Sequence, residues 1–443
     1  MRTRTLITGL GPITALGVGI DMLWAGLCEG RSAIRRITRL DPSGFPCQYA
    51  GEIPDELFDV KSVVPKSYRK ATKVMARDIE LAVGAAAAAV ADAGLITKAA
   101  GEDATPTIPP ARFGCHIGAG LIAAEEDELT AALVTSRAVE GGEFDLKHWG
   151  ATGMQNLTPL WLLKYLPNML ACHVTIIHDC EGPSNTITCA EASAMLSIGE
   201  SQRAIQRGAA DACLTGGAEC KLNTMGHLRQ WFARRLAPAK EGVDAATIVK
   251  PFDRAANGAV LGEGGGLIVL EAEDSARARN AARTYCELAG FAASQSYSAD
   301  ATGTEIDEQG ESISDAIQMA LEAAKTRPDE IDCIAPFGSG IAAVDRIESH
   351  AIRKVFCDRA GRIPLITTIA NVGNTTAGSG AVSVAAAAMA LKTQTMPARI
   401  NTHHAIDGLM ANAAPSHSAK LRAALVISTG MGGQNAAVVL RNA

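Results

Sequence analysis

Two side chains that could carry chemistry, Cys189 and Glu191, lie where a predicted strand gives way to a predicted helix. The strand pattern covers Asn185 to Cys189, and the helix that follows begins at Glu191 and ends near Gly208. A thiol at a helix start becomes nucleophilic because the aligned N–H groups lower its pKa, and the same groups stabilise a carboxylate. Strand periodicity leaves Cys189 inside the sheet as a structural cysteine. For Glu191 two interpretations stay open, a solvated helix-start carboxylate and a functional group.

The other reactive side chains show no pattern of a metal or cofactor site. The eleven cysteines are scattered, without a C-x-x-C pair or the Cys/His spacing of a zinc site. His116, His173 and His178 lie near apolar segments, but no two of them have the spacing of metal ligands on one helix face. We therefore expect these histidines in the core or at an interface, and we predict neither a metal nor a cofactor.

Strand-like and helix-like segments alternate along the chain, which is typical of an α/β fold with helices layered on sheets. The predicted strands are Arg4 to Gly9, Phe113 to Ile117, Asn185 to Cys189, Ala212 to Leu214, Leu267 to Leu270, Asp332 to Pro336 and Leu365 to Ala370. The predicted helices are Ile79 to Ala93, Leu157 to Leu170, Glu191 to Gly208, Ile313 to Ala324 and Gly380 to Leu391.

Two Gly-rich runs that lead into apolar strands suggest an internal duplication. Gly264 to Leu270 and Gly432 to Leu440 have the pattern of one closing hairpin used twice. We predict two halves, residues 1–275 and 280–443, that form one continuous structural unit. Chance similarity between α/β segments is the alternative, and segment order excludes it only weakly.

Composition excludes several classes of protein. Apolar residues make up 47% of the chain and charged residues 20%, as in globular proteins. A net charge of −6 and a pI near 5.9 argue against nucleic acid as a partner. The apolar stretch within Met1 to Gly9 is too short for a signal-peptide core, and Leu81 to Leu95 is interrupted by Asp92, which argues against a membrane span. We expect a soluble cytoplasmic protein with reduced cysteines.

Several blocks resemble the β-ketoacyl-acyl-carrier-protein synthase family, in the same order along the chain. The blocks are Ile7 to Gly11, Gly182 to Ser184 with the strand and helix that follow, Ala209 to Glu219, Pro251 to Arg254 with Leu261 to Gly264, and Gly430 to Asn435. The resemblance covers essentially the whole chain. It implies the thiolase fold, an α/β class with a duplicated, five-layered α-β-α-β-α architecture.

The positions where this family keeps its nucleophilic Cys and two catalytic His hold other residues. The nucleophile lies eight residues beyond the Pro of the Gly-Pro block, which here is Glu191. The first His precedes Gly in a segment that runs on to an Asp and a Glu, and Phe337 holds its place. The second ends a Lys-x-x-x-Gly-His segment, where Asn374 replaces the His and Ile369 the Lys.

These replacements imply a chain without condensing activity of its own. Phe337 has no nitrogen, and Asn374 carries no titratable proton at neutral pH. Glu191 is a weak nucleophile toward thioesters, and its acylation would give a labile mixed anhydride. We therefore expect no active catalytic residue here. The resemblance also assigns Gly430, Met431, Gly432 and Gly433 to the loop that supplies the oxyanion donors and gates the site.

The leading hypothesis is a subunit of the chain-length-factor type. Such a subunit resembles ketosynthases throughout, lacks their catalytic groups, and pairs with an active β-ketoacyl synthase whose acyl tunnel it shapes in polyketide or specialised fatty-acid biosynthesis. By resemblance, the tunnel floor and interface come from Leu121, Ile122, Ala123 and Ala124. Two alternatives remain: a malonyl-carrier decarboxylase that uses Glu191, and a homodimeric acyl-binding scaffold.

The same resemblance yields geometric expectations. The carboxylate of Glu191 should lie near N–H groups of its own helix and of the Met431 loop. A large two-fold-like interface, with a synthase or a second copy, should form around the strand Asn185 to Cys189. Arg229, Arg234 and Arg235 should form an exposed loop face, with contact to an acyl carrier protein as the alternative. Asp345 and Glu348 should hold loops through backbone hydrogen bonds.

Overall fold

The strands assemble into one long mixed sheet and two small ones. The computed structural model describes residues 3–101, 103–139, 141–297 and 307–443. The strands in this part of the chain are β1 Thr5–Thr14, β2 Gly17–Val18, β3 Arg35–Arg36, β4 Tyr49–Gly51, β5 Phe113–Gly118, β6 Ser184–Ile187, β7 Ala212–Glu219, β8 Leu261–Gly262, β9 Gly264–Ala272, β10 Cys286–Gln295, β11 Cys333–Ala335, β12 Thr395–Met396, β13 His417–Ser418, β14 Ala423–Thr429 and β15 Gln434–Arg441.

The long sheet has the order β11-β14-β15-β10-β1-β9-β7-β5-β6, with β2 paired to β1. In its first half β9 lies between β1 and β7, and in its second half β15 lies between β10 and β14. A short antiparallel contact, Leu6 opposite Glu287 and Ile7 opposite Cys286, joins the halves. The two Gly-rich strands therefore hold corresponding places. The division into halves at residues 275 and 280 stays a prediction.

Helices cover both faces of each half. The α-helices are α1 Ile20–Cys28, α2 Val60–Val63, α3 Arg77–Asp92, α4 Glu126–Val134, α5 Leu146–Ala151, α6 Met169–His178, α7 Ser193–Gln206, α8 Thr224–Phe232, α9 Glu273–Ala278, α10 Glu311–Ala324, α11 Ala342–Phe356, α12 Ile369–Val372 and α13 Ser379–Thr393. The 3₁₀ helices are Lys66–Val74, Lys98–Ala100, Pro110–Arg112, Gly153–Asn156, Trp161–Tyr165, Ala190–Ala192, Ala245–Thr247, Pro328–Glu330, Cys357–Arg362 and Thr376–Gly378. No helix in the described ranges is long and apolar enough to cross a membrane.

The layers follow the expected α-β-α-β-α order. Helices α3 and α6 cover the outer face of the first half-sheet, and α7 and α13 lie between the two half-sheets. Helix α10 covers the outer face of the second half-sheet, and α11 packs on α10. Small residues permit this close packing. A Cβ on Gly9 or Gly11 of β1 would come within 2.5 or 2.2 Å of a carbonyl oxygen of α3, which explains why Ala and Gly dominate where these elements meet.

Two predicted elements are wrong. Leu157 to Leu170 is not one helix: Leu160 takes a left-handed backbone with φ 64°, and Pro167, which lacks a donor, separates the 3₁₀ helix Trp161–Tyr165 from α6. Leu365 to Ala370 is not a strand. Leu365 forms only an isolated bridge to Ile334, and the chain then turns into α12, where Asn371 and Val372 donate backbone hydrogen bonds to the carbonyl of Thr368.

Candidate functional site

The turn between β6 and α7 points Glu191 into the protein. Strand β6 ends at Ile187, two residues earlier than expected, and a 3₁₀ turn, Ala190–Ala192, precedes α7. Ala190 has a left-handed backbone with φ 46°, which for a residue with a Cβ costs about 1–2 kcal/mol. The Ser193 hydroxyl fastens the turn, accepting from the Cys189 amide at 2.8 Å and donating to the Ala190 carbonyl at 2.6 Å. As a result Glu191 is only 1% exposed and is not a solvated helix-start carboxylate.

The Glu191 carboxylate has three hydrogen-bond donors from three separate parts of the chain. Arg235 Nη2 donates to Oε1 at 2.5 Å, and Asn374 Nδ2 donates to the same oxygen at 3.1 Å. The Met431 backbone amide donates to Oε2 at 3.0 Å. The expected contact with the Met431 loop is therefore present, while the other two donors are side chains rather than amides of α7.

These contacts keep the carboxylate ionised. Burial alone would raise the pKa of Glu191, but the guanidinium of Arg235, the Met431 amide and the Asn374 side chain outweigh it, so that the pKa lies below its usual value. A carboxylate paired in this way has its lone pairs engaged and is a poor nucleophile.

The place of Arg235 corrects the sequence prediction. Arg229 and Arg234 are exposed as expected, but the Arg235 side chain is only 6% exposed and forms a buried ion pair with Glu191. Helix α8 ends just before Arg234, which has φ 56°, and Leu236 then bridges to Ala259. The left-handed turn at Arg234 ends the exposed part of this segment, and the next three residues, Arg235 to Ala237, are all buried. The only signal in the sequence was the apolar pair after Arg235, Leu236-Ala237.

Asn374 has one orientation that satisfies its neighbours. Its Oδ1 accepts from the Thr376 amide at 2.9 Å and from the Ser379 hydroxyl at 3.0 Å. Because these contacts require an acceptor, the Nδ2 group must face Glu191. Asn374, which the resemblance expects at the second His position, thus serves as a fixed donor to Glu191.

Phe337 and Ile369 contribute apolar volume to the site. Both are buried in the same hydrophobic cluster. The Phe337 and Gly338 amides donate to the Glu348 carboxylate at 2.7 and 3.0 Å, and the Ser339 and Gly340 amides donate to Asp345 at 2.8 and 3.1 Å. The expected role of the two acids in holding this loop is confirmed. Burial raises the pKa of Glu348 to about 8 and that of Asp345 to about 6.

The loop Gly430 to Gly433 forms a tight turn over Glu191. Gly430 donates to the carbonyl of Gln434 at 2.7 Å, Gly433 donates to that of Gly430 at 3.0 Å, and Gly432 and Gly433 have left-handed backbones. This shape directs the Met431 amide at the carboxylate. The Met431 amide, which the resemblance expects to donate to an oxyanion, is therefore already bound to Glu191.

Cys189 and the segment 121–124 lie apart from these contacts. Cys189 follows the end of β6 and is half-buried rather than inside the sheet, and burial raises the pKa of its thiol, which disfavours the thiolate. Ile122 is buried in the cluster that holds Phe337, Ala123 and Ala124 are half-buried, and Leu121 is exposed. Within the described ranges, no group of three or more His, Cys, Asp or Glu side chains could hold a metal ion.

Comparison with known proteins shows the family and the fold. The family model for the β-ketoacyl synthase N-terminal domain matches residues 3–276, and that for the C-terminal domain matches residues 285–403. A 3-oxoacyl-[acyl-carrier-protein] synthase 2 of Coxiella burnetii is 30% identical over 99% of this chain and 98% of its own. The tetracenomycin polyketide synthase ketoacyl synthase beta subunit of Streptomyces glaucescens is 29% identical over 98% of each chain. The solved ishigamide ketosynthase/chain length factor superposes with a TM-score of 0.82 at 27% identity, covering 100% of both chains.

Proposed function

The chain belongs to the β-ketoacyl synthase family, and we propose that it is a non-condensing subunit of the chain-length-factor type, which pairs with an active synthase in polyketide or specialised fatty-acid biosynthesis. One observation carries the proposal. Glu191, which the resemblance expects at the nucleophile position, is a buried carboxylate that is paired with Arg235 and bonded to the Met431 amide.

Condensation needs groups that this site does not hold. A thioester must be attacked by a thiolate, and the enolate from malonyl decarboxylation must be stabilised by hydrogen bonds from positioned donors. Phe337 offers only a ring, and Asn374 is already bound to Glu191. Substrate would have to displace a buried ion pair before it reached the Met431 amide.

The surface supports pairing with another subunit. Nine of the nineteen large apolar side chains that are exposed in the described residues fall within the 42-residue span 121–162. They are Leu121, Leu133, Val134, Val139, Phe144, Leu146, Met154, Leu160 and Leu162. Strand β6 lies at the edge of the long sheet, and Ser184 and Asn185 on it are exposed. An unpaired edge strand and a concentration of exposed apolar groups are typical of a surface that a partner covers.

The same face supports a role in shaping a tunnel. The span 121–162 begins with Leu121 to Ala124, where the exposed Leu121 is followed by the buried Ile122. A partner packed on this span would contact Leu121, and the next residue, Ile122, lies in the same hydrophobic cluster as Phe337. The relatives named above include a polyketide synthase beta subunit and a ketosynthase/chain length factor structure, which fits this arrangement.

A basic strip next to this span supports contact with an acyl carrier protein. Between Asp59 and Asp78 the sequence has six cations and no acid. Five of them are exposed, and none of the five forms an ion pair with another described residue: Lys61, Lys66, Arg69, Lys70 and Lys73. The Tyr68 hydroxyl and His173 Nδ1, 2.8 Å apart, hold the strip's 3₁₀ helix against α6. An acidic partner would complement this charge.

An assay of the chain alone tests the absence of condensation. Purified protein is given an acyl primer and malonyl carrier protein, and both carbon–carbon bond formation and carbon dioxide release are measured. We expect neither. Product would contradict the proposal, and decarboxylation without product would favour the malonyl decarboxylase that uses Glu191.

A further inference from the structure

We propose that Arg235, Asn374 and the Met431 amide form a receptor for a small carboxylate, which the chain fills with its own Glu191 side chain. The proposal concerns this chain alone and holds whether or not it pairs with a synthase. It assigns a ligand class to the site: short monocarboxylates.

The three donors converge on a carboxylate from independent supports. Arg235 Nη2 and Asn374 Nδ2 bind one oxygen at 2.5 and 3.1 Å, and the Met431 amide binds the other at 3.0 Å. One donor carries a full charge, and the Arg235 and Asn374 hydrogen bonds are buried, where hydrogen bonds to an anion are strongest, while the Met431 bond is partly buried. A neutral ligand would leave the guanidinium uncompensated.

Two of the three donors, and the backbone that carries the third, keep their places without help from Glu191, while the only hydrogen bond of the Arg235 guanidinium to a described residue is the one to Glu191. Thr376 and Ser379 fix the Asn374 side chain through its oxygen. The Gly430 and Gly433 hydrogen bonds shape the Met431 turn, and the Arg235 amide donates to the carbonyl of Gln230 at 3.1 Å. The Arg235 Nε is buried and has no hydrogen-bond partner among the described residues, so that the guanidinium has unused capacity for an anion.

The size of the ligand follows from the side chain it replaces. Truncating Glu191 to Ala removes one methylene carbon, the carboxyl carbon and two oxygens, and acetate consists of the same four heavy atoms. Formate underfills that space, and butyrate exceeds it. The receptor in a Glu191→Ala protein should therefore prefer acetate, with formate weaker.

The self-ligand also ties the Met431 loop to α7. The Ser428 hydroxyl donates to the Glu191 backbone carbonyl at 2.7 Å, and the Met431 amide donates to its carboxylate, so two contacts span the junction. Loss of the carboxylate removes the contact at the loop, and an exogenous carboxylate restores it.

The test is chemical rescue of the full-length Glu191→Ala protein. Its melting temperature should fall by about 3–5 °C, because a buried guanidinium loses its partner. Acetate should restore most of this loss with saturation in the millimolar range, whereas acetamide and chloride at equal concentration should not. The control is Glu191→Ala combined with Arg235→Met, which should show no rescue.

Hydrogen exchange provides the second measurement. If the Glu191→Ala protein does not fold, Glu191→Gln takes its place in this experiment. The peptide containing Gly430 to Gly433 should exchange about tenfold faster in either variant than in the natural protein. Acetate should slow it again in Glu191→Ala only. Rescue that is equal for acetamide or present in the double variant, or loop exchange unchanged in both single variants, would overturn the proposal.

Discussion

Removing Arg235 should destabilise the protein far more than removing the arginine beside it. The Arg235 and Glu191 side chains are 6% and 2% exposed, so that Arg235→Met leaves a buried carboxylate without its counter-charge. Removing one partner of a buried ion pair lowers the free energy of unfolding by about 3–5 kcal/mol. This is a large part of the 5–15 kcal/mol that typically separates folded from unfolded protein. Met retains most of the apolar stem, so that the loss reflects charge rather than volume.

The pH dependence of this loss identifies its cause. In the natural protein the pKa of Glu191 lies below its unfolded value, so that its contribution to stability is present above about pH 4.3 and is lost as the pH falls through the folded pKa. In Arg235→Met, burial without a counter-charge should raise that pKa above the unfolded value. The variant then takes up a proton on folding, and its deficit should shrink as the pH falls from 7.5 toward 5.

The assay is denaturant unfolding of both proteins across that pH range. Equal m values, the slopes of unfolding free energy against denaturant concentration, would confirm that both proteins expose the same surface area on unfolding. Arg234→Met is the matched control, because Arg234 is exposed, and it should change stability by less than about 0.5 kcal/mol. A loss of unfolding free energy below about 1 kcal/mol in Arg235→Met, or a loss that is the same at every pH, would show that the buried ion pair does not have this role.

Three further results are expected. Glu191→Cys should yield a thiol that iodoacetamide alkylates, because Arg235 and the helix start lower its pKa. Condensation from an acyl primer and malonyl carrier should stay near background, since positioned acid–base and oxyanion groups each contribute on the order of 100-fold. Adding Phe337→His and Asn374→His should recover part of the rate, whereas robust product from the single variant would show that the two His positions are misassigned. Leu160→Asp should weaken association with a synthase measured by light scattering, while Met319→Asp, at another exposed apolar site, on α10, should not. Equal effects would show that the span 121–162 is not part of the interface. Charge reversal at Lys66 and Lys70 should lower the affinity for acyl carrier protein and the salt dependence of that affinity, relative to the control variant Lys420→Glu. Unchanged binding would exclude the basic strip as the contact surface for the carrier protein.

The fold was largely predictable because its strongest constraints are local. The Ala-rich helices and the apolar strands each have a periodic pattern, and the Gly-rich turns mark their ends. The elements around Gly182 and Gly432 lie within about two residues of their predicted bounds. The errors fell at short segments. Pro167 interrupts the segment for which the apolar residues predicted a single helix. Leu365 pairs with Ile334 through one isolated bridge, and an apolar run in the sequence does not distinguish such a bridge from a full strand ladder.

The site was predictable in position but not in chemistry. Counting from Pro183 found Glu191, and the loop of Met431 was expected to face it. Arg235 was missed because 44 residues separate it from Glu191, and because only the apolar pair that follows it, Leu236-Ala237, distinguishes it from the exposed Arg234. Long-range pairing of buried charges depends on how separate loops are brought together, which the pattern of one segment does not record.

Co-expression with an intact β-ketoacyl synthase from the same biosynthetic assembly is the decisive experiment on the proposed role. We expect the two chains to co-purify one to one and the complex to form carbon–carbon bonds from an acyl primer and malonyl carrier. The natural chain alone should form none. A synthase that never associates with this chain, or a purified chain that condenses acyl groups by itself, would refute the role of a non-condensing partner subunit.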